Sequence, residues 1–181
     1  MTIEPETKSW TWVLERPCDE CGFDTRSFPA ADIGRLSREA ARPWPAFLAD
    51  PQARFRPSDD CWSTLEYGCH VRDVFVLGTL RLERMLREDG PRFANWDQDE
   101  TAVAERYDLQ DPTEVGEQIL AAAATLGDLY DTVGADQWRR PGIRSDGAEF
   151  TVESFGRYFV HDPVHHIVDV QRGLAALHRH G

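Results

Sequence analysis

The stretch YFVHDPVHHIVDV, residues 158–170, decides how this chain is read. Phe159, Ile167 and Val170 continue an apolar pattern that begins at Val152 and Phe155 and reaches Leu174, the period of a helix. On that helix His161 and His165 stand four residues apart, so both imidazoles lie on one face and can hold one ion. His166 is five residues on from His161 and points off that face. Asp162 stands where the zincin motif HExxH has its Glu, so this is not that metalloprotease pattern. Pro163 removes the hydrogen bond to the carbonyl of Phe159, at a cost of about 3 kcal/mol. It marks either a bend that aims the two histidines or a boundary between two shorter helices.

A third histidine, His70, lies some ninety residues earlier in CHVRDVF. Its helix starts at a Ser63-x-x-Glu66 capping box, runs through Leu65, Cys69, Phe75, Leu80 and Leu86, and stops at Gly90-Pro91. Another helix opens on Asp111, Pro112 and Glu114 and buries Val115, Ile119, Ala122, Leu126 and Leu129. The first helix spans Asp32 to about Ala49, with Pro43 and Pro45 interrupting it. Four helices without convincing strand pairs predict an all-α fold, a four-helix bundle over residues 28–181. Residues 1–27 form an N-terminal extension in which WTWVL reads as extended and CDECG as a turn. The connection 91–110 carries Trp96 and Tyr107, a short helix from Thr101 to Arg106, and the length of a functional or mobile loop. It leaves room for a connectivity other than up-down-up-down.

Composition narrows the function. The chain has 181 residues, 41% of them hydrophobic, and a net charge of −12. That charge disfavours nucleic acid, which binds through Lys and Arg contacts to phosphate, and anionic membranes equally. No run of apolar residues is long enough to cross a bilayer, and the polar, acidic N-terminus does not read as a signal peptide. A cytoplasmic protein is expected. Lys8 is the single lysine, so nearly all basic residues are Arg, a bias that fits a GC-rich genome.

The four cysteines are Cys18, Cys21, Cys61 and Cys69. A cytoplasmic chain argues against structural disulfides. Cys18 and Cys21 have the spacing of half a zinc knuckle, but no second CxxC completes a ribbon. They remain either a tight structural turn or a second metal or redox pair.

A bundle with His on its second helix and HxxxH on its fourth resembles the DinB/YfiT-like superfamily of metal-binding four-helix bundles. The matching pieces are CHVRDV, WDQDETA and YFVHDPVHHIVDV, and the likeness covers about residues 28–178. The resemblance implies a divalent transition metal, Zn or Ni, held by His70, His161 and His165 with positions left open. It implies a thiol S-transferase of the mycothiol-dependent maleylpyruvate isomerase type, in which a low-molecular-weight thiol is activated as a metal-bound thiolate. The Arg bias points to mycothiol as co-substrate. The partners are then a small-molecule thiol and an electrophile, and the chain is open to homodimerisation. A metal-dependent hydrolase and a non-catalytic, metal-stabilised binding protein use the same ligands. Asp73 and Asp169, three and four residues beyond His70 and His165, are candidates to orient the imidazoles. Trp96, Tyr107 and Tyr158 are candidates to line a pocket.

Overall fold

Two helices are fixed at their starts by the signals read above. In the computed structural model, which describes residues 10–180, the Ser63 hydroxyl accepts from the Glu66 N–H at 3.2 Å. The Glu66 carboxylate accepts from the Ser63 N–H at 2.8 Å, and α3 (Thr64–Arg87) begins there. Asp111 accepts from the N–H groups of Thr113 and Glu114, and α5 (Pro112–Asp131) begins with proline in its first turn. These contacts satisfy amides that have no partner within a helix.

The expected first helix is divided into α1 (Ile33–Ala41) and α2 (Trp44–Leu48), with the break at Arg42–Pro43, where proline was expected to interrupt. The connection after α3 is more ordered than a plain loop. It holds β1 (Arg92–Phe93), α4 (Gln98–Ala104) and a 3-10 turn at Tyr107–Leu109. The helix α4 starts before the expected Thr101 because Asp97 caps the N–H groups of Asp99 and Glu100. The last helix, α6 (Val152–His180), runs continuously through Pro163, so the proline marks no boundary.

The bundle is a ring rather than an up-and-down file. The helix α5 packs on α1 and α3, and α6 packs on α3 and α1, so chain neighbours α1 and α3 stand on a diagonal, as do α5 and α6. The interior between them is filled by Trp44, Leu65, Phe75, Leu82, Ile119, Leu126 and Phe155, all essentially without exposure. Helices α1 and α5 meet backbone to backbone. A Cβ on Gly127 would lie 2.7 Å from the Gly34 carbonyl oxygen, and one on Gly34 would lie 2.5 Å from that of Gly127.

The absence of strand pairs is corrected. β2 (Pro141–Arg144) and β3 (Glu149–Thr151) form an antiparallel hairpin, and β1 adds to β2 in parallel. Gly147, at φ +89°, turns the hairpin. The WTWVL segment is corrected as well: Thr11–Leu14 form a 3-10 turn packed on α6, with Val13 buried. The part of the extension before residue 10 lies outside the described residues.

Candidate metal centre

The helix α6 carries two i,i+4 pairs that are offset by one residue: His161 with His165, and Asp162 with His166. One residue is about 100° of rotation, so the two pairs face different neighbours. Among the described residues, two groups of potential ligands converge, each with all of its donor atoms within 4.8 Å of one another. One is His70, Asp162 and His166; the other is Cys18, Cys21, His161 and His165.

This divides the set expected from sequence. His70 does not join His161 and His165; it joins the neighbouring pair. The reason lies in the packing of α6, whose Asp162/His166 face turns to α3 while its His161/His165 face is covered by the N-terminal segment. His166 is five residues from His161 but four from Asp162, so it shares a face with the aspartate.

His70 is 1% exposed. Its ring is stacked on Trp96 at 5.4 Å between centroids, with Trp62 at 5.5 Å and His166 edge-on at 5.0 Å. Its Nε2 lies 3.4 Å from Asp162 Oδ1, and His166 Nε2 lies 3.7 Å from the same oxygen. Neither contact is a hydrogen bond. Both nitrogens of His70 and Asp162 Oδ1 are buried without a hydrogen-bond partner. Leaving such atoms unpaired costs on the order of 1–3 kcal/mol each, and native structures rarely do so without a reason. Three donors that converge but stop short of bonding one another fit a cation between them. Burial opposes the charge on Asp162, yet the surrounding His70 and His166 hold its carboxyl far below the usual carboxylate range. A carboxylate and two imidazoles from three positions leave coordination sites free, and no fourth ligand among the described residues joins the group.

Asp169, expected to stand behind His165, lies against two histidines. Its Oδ2 is 2.9 Å from His166 Nδ1 and 3.5 Å from His165 Nε2. The first contact fixes the His166 ring so that Nε2 faces Asp162. Asp73 is a correction. It accepts from the Tyr107 hydroxyl and from Arg72 Nε at 2.7 Å, turned away from His70. Tyr107 is correspondingly in the core, fully buried against Trp62. Trp96 stacks on the His70 ring. Tyr158 accepts from Arg144 at 3.2 Å and lies close enough to feel the Asp162 charge. Arg81 stands beside this tyrosine, and burial together with the neighbouring Arg144 pushes its guanidinium down to about 10.

In the second group Cys18 Sγ lies 3.6 Å from His165 Nδ1, and Cys21 Sγ lies 3.7 Å from His161 Nε2. Cys18, His161 and His165 are buried and Cys21 is half-buried. Burial, reinforced by the adjacent His165, lowers His161 to about 4, so its imidazole is neutral at physiological pH. Burial likewise lowers His165, against the pull of Asp169 and Glu20. Cys61 and Cys69 belong to neither group; Cys69 is in the core against the carbonyl of Tyr107.

Comparison with known proteins agrees with this architecture. A family model of the DinB superfamily matches residues 35–175. Among solved structures the chain is similar to YfiT from Bacillus subtilis, described as a probable metal-dependent hydrolase with an unusual four-helix bundle topology. The TM-score is 0.64 at 19% identity, covering 78% of this chain and 87% of that one. No curated protein matches the sequence. No helix among the described residues is long and apolar enough to cross a membrane.

Proposed function

The chain belongs to the DinB superfamily, and on that footing we propose that it is a metal-dependent enzyme whose divalent ion is held by His70, Asp162 and His166. The observation that carries this is the pair of unpartnered nitrogens on buried His70 facing the unpartnered Oδ1 of Asp162. The chemistry we assign is transfer by a low-molecular-weight thiol, with mycothiol as the co-substrate. A bound divalent ion supplies ionisation of the thiol, whose free pKa near 8.5 leaves it mostly protonated at neutral pH.

The protein's own residues do the rest. Asp162 contributes one negative charge against two on the ion, so an anionic sulfur remains attracted to the site. Asp169 holds His166 in the tautomer that presents Nε2. Trp62 and Trp96 exclude water from one side of His70, which strengthens every charge interaction there. Arg81, crowded by Arg144, is suited to bind a carboxylate of the substrate, which would relieve their repulsion. The sulfur then forms its bond to the electrophilic carbon as the electron pair moves onto the leaving group, and the thiol proton goes to solvent.

A hydrolase is the second reading, favoured by the likeness to YfiT. In that case water takes the place of the thiol and the same three residues serve. The two separate in cobalt-loaded protein carrying Cys18→Ser and Cys21→Ser, which removes the candidate sulfur donors on α6's other face. Added mycothiol is expected to bring in a sulfur-to-cobalt charge-transfer band that His70→Ala lacks. Metal-dependent ester or amide turnover with no spectral response to any thiol would hand the assignment to the hydrolase.

A further inference from the structure

Cys18 and Cys21 lie before residue 35, outside the match to the family, yet their sulfurs meet two histidines some 140 residues later in the chain. We propose that Cys18, Cys21, His161 and His165 form a second, closed metal site of the zinc type, which clasps the N-terminal segment onto α6.

The distances fit an ion shared by these four groups. Zn–S bonds of about 2.3 Å and Zn–N bonds of about 2.0–2.1 Å at tetrahedral angles place sulfur and nitrogen about 3.6 Å apart. The two S···N separations here are 3.6 and 3.7 Å, on different cysteines and different histidines. All four donors lie within 4.8 Å of one another, as ligands around a common centre must. Two thiolates and two neutral imidazoles select zinc over the hard, oxygen-seeking cations. Four protein ligands fill a tetrahedron, so this ion has no position for substrate and its role is structural.

The surroundings are those of a built site. The Cys18 carbonyl accepts from Gly22 N–H at 2.8 Å, and the Cys18 N–H donates to the Phe23 carbonyl at 2.9 Å. Gly22 sits at φ +76°, where a side chain would be strained. This closes the CDECG loop so that both sulfurs face α6. On the far side of His165, Nε2 faces Asp169 at 3.5 Å and Glu20 at 3.6 Å, the carboxylates that orient an imidazole for metal. Trp10 covers both histidine rings, at 5.6 and 4.9 Å between centroids.

The fold gives the clasp a purpose. Between residues 10 and 28 only Val13, Cys18 and Thr25 are buried, a poor anchor for an irregular segment. Arg172 holds the Glu20 carbonyl and Arg157 holds those of Thr25 and Phe28, all at the surface of α6. A structural zinc contributes folding free energy outright and would fix the segment. It would also hold His161 and His165, each one residue before a member of the other group.

The test uses full-length protein and cobalt. One equivalent of zinc per chain should survive dialysis against a weak chelator and be released by an organomercurial. Cobalt in its place should give tetrahedral d–d bands and a sulfur-to-metal charge-transfer band without any added thiol. Cys18→Ser and Cys21→Ser should each lose both, while His70→Ala should keep them. Should these variants fail to fold, His161→Cys keeps the question open to refutation: it should retain the ion and raise the charge-transfer intensity by about half, three thiolates replacing two. A cobalt spectrum without sulfur character overturns the site, as does zinc content indifferent to Cys18→Ser. So does a protein that, isolated lighter by the mass of two hydrogens at Cys18–Cys21, takes up no zinc after reduction; that outcome makes the cysteines a redox pair.

Discussion

Two faces of one helix differ by a single residue of register and by almost everything else. The Asp162/His166 face of α6 looks into the bundle and meets one further ligand, His70, with no fourth donor among the described residues. The His161/His165 face looks at the N-terminal segment and meets two sulfurs, which make up a set of four donors. The first has a hard carboxylate, a deficit of ligands and buried atoms without partners, as chemistry on an exchangeable ligand requires. The second has soft donors and no vacancy. A helix of 3.6 residues per turn can serve both because neighbouring i,i+4 pairs diverge by about 100°. The lesson is that an HxxxH motif does not identify a centre until its covering element is known.

The sharpest way to break this comparison is to exchange the histidines. His166→Ala should abolish metal-dependent turnover, lowering it by roughly a thousandfold or more, because two ligands seldom hold a catalytic ion. The zinc equivalent that depends on Cys18 should remain. His165→Ala should do the reverse to the ions: it should lose the tight zinc and keep the metal of the first group. Metal analysis of the two variants side by side decides the matter. A first centre lost with His165 and kept with His166 would restore the grouping His70, His161 and His165.

Which parts of this were legible in sequence follows from how local each signal is. The starts of α3 and α5 were readable because Ser63 with Glu66, and Asp111 with Glu114, act within one turn. The break between α1 and α2 was readable from Pro43. The sheet was not: its strands are two to four residues long, one begins with Pro141, and β1 pairs with β2 from about fifty residues away. His70 and the helix of histidines were readable as candidate metal ligands. Their partition was not, because it depends on which neighbours cover α6. The pairing of Cys18 with His165 had one sequence clue, a half knuckle lacking its other half, beside a second set of ligands with the spacing of helix neighbours. Asp162 and His166 carried the same i,i+4 spacing as the pair that drew attention.

The two carboxylates expected behind the ligands sharpen the comparison at a smaller scale. Asp169 touches a histidine of each group, at 2.9 Å to His166 and 3.5 Å to His165. Asp169→Asn should weaken metal binding by about 10- to 100-fold, the usual cost of losing an orienting partner. The loss should be larger at the first group, where the contact is shorter. Asp73→Asn should leave both affinities within about twofold, since its partners are Arg72 and Tyr107. Competition against a chromophoric chelator measures each. Equal effects from the two substitutions would mean that charge near the site, rather than a specific contact, sets the affinity.

The smallest effect concerns the α3 side alone. Glu66 is 5% exposed, caps the helix that carries His70, and accepts from Arg56 Nε at 2.9 Å and Ser63 N–H at 2.8 Å. Burial works against its charge, but Arg56 and Ser63 outweigh it and lower its pKa. A carboxyl whose folded pKa lies below its unfolded value, about 4.3, adds stability above that value and loses it as pH falls through the folded one. Glu66→Gln should therefore cost about 2 kcal/mol at pH 7, the worth of a buried hydrogen bond to a charged group. Denaturant melts of parent and variant should converge at progressively lower pH below about 4.3. Both chains shed bound metal on acidification, so the difference between them isolates Glu66. A gap of the same size at pH 7 and in acid would mean that the substitution acts through packing at the start of α3 and not through the ion pair. In either case, the second group's zinc content at pH 7 should not change, because none of its four donors comes from α3.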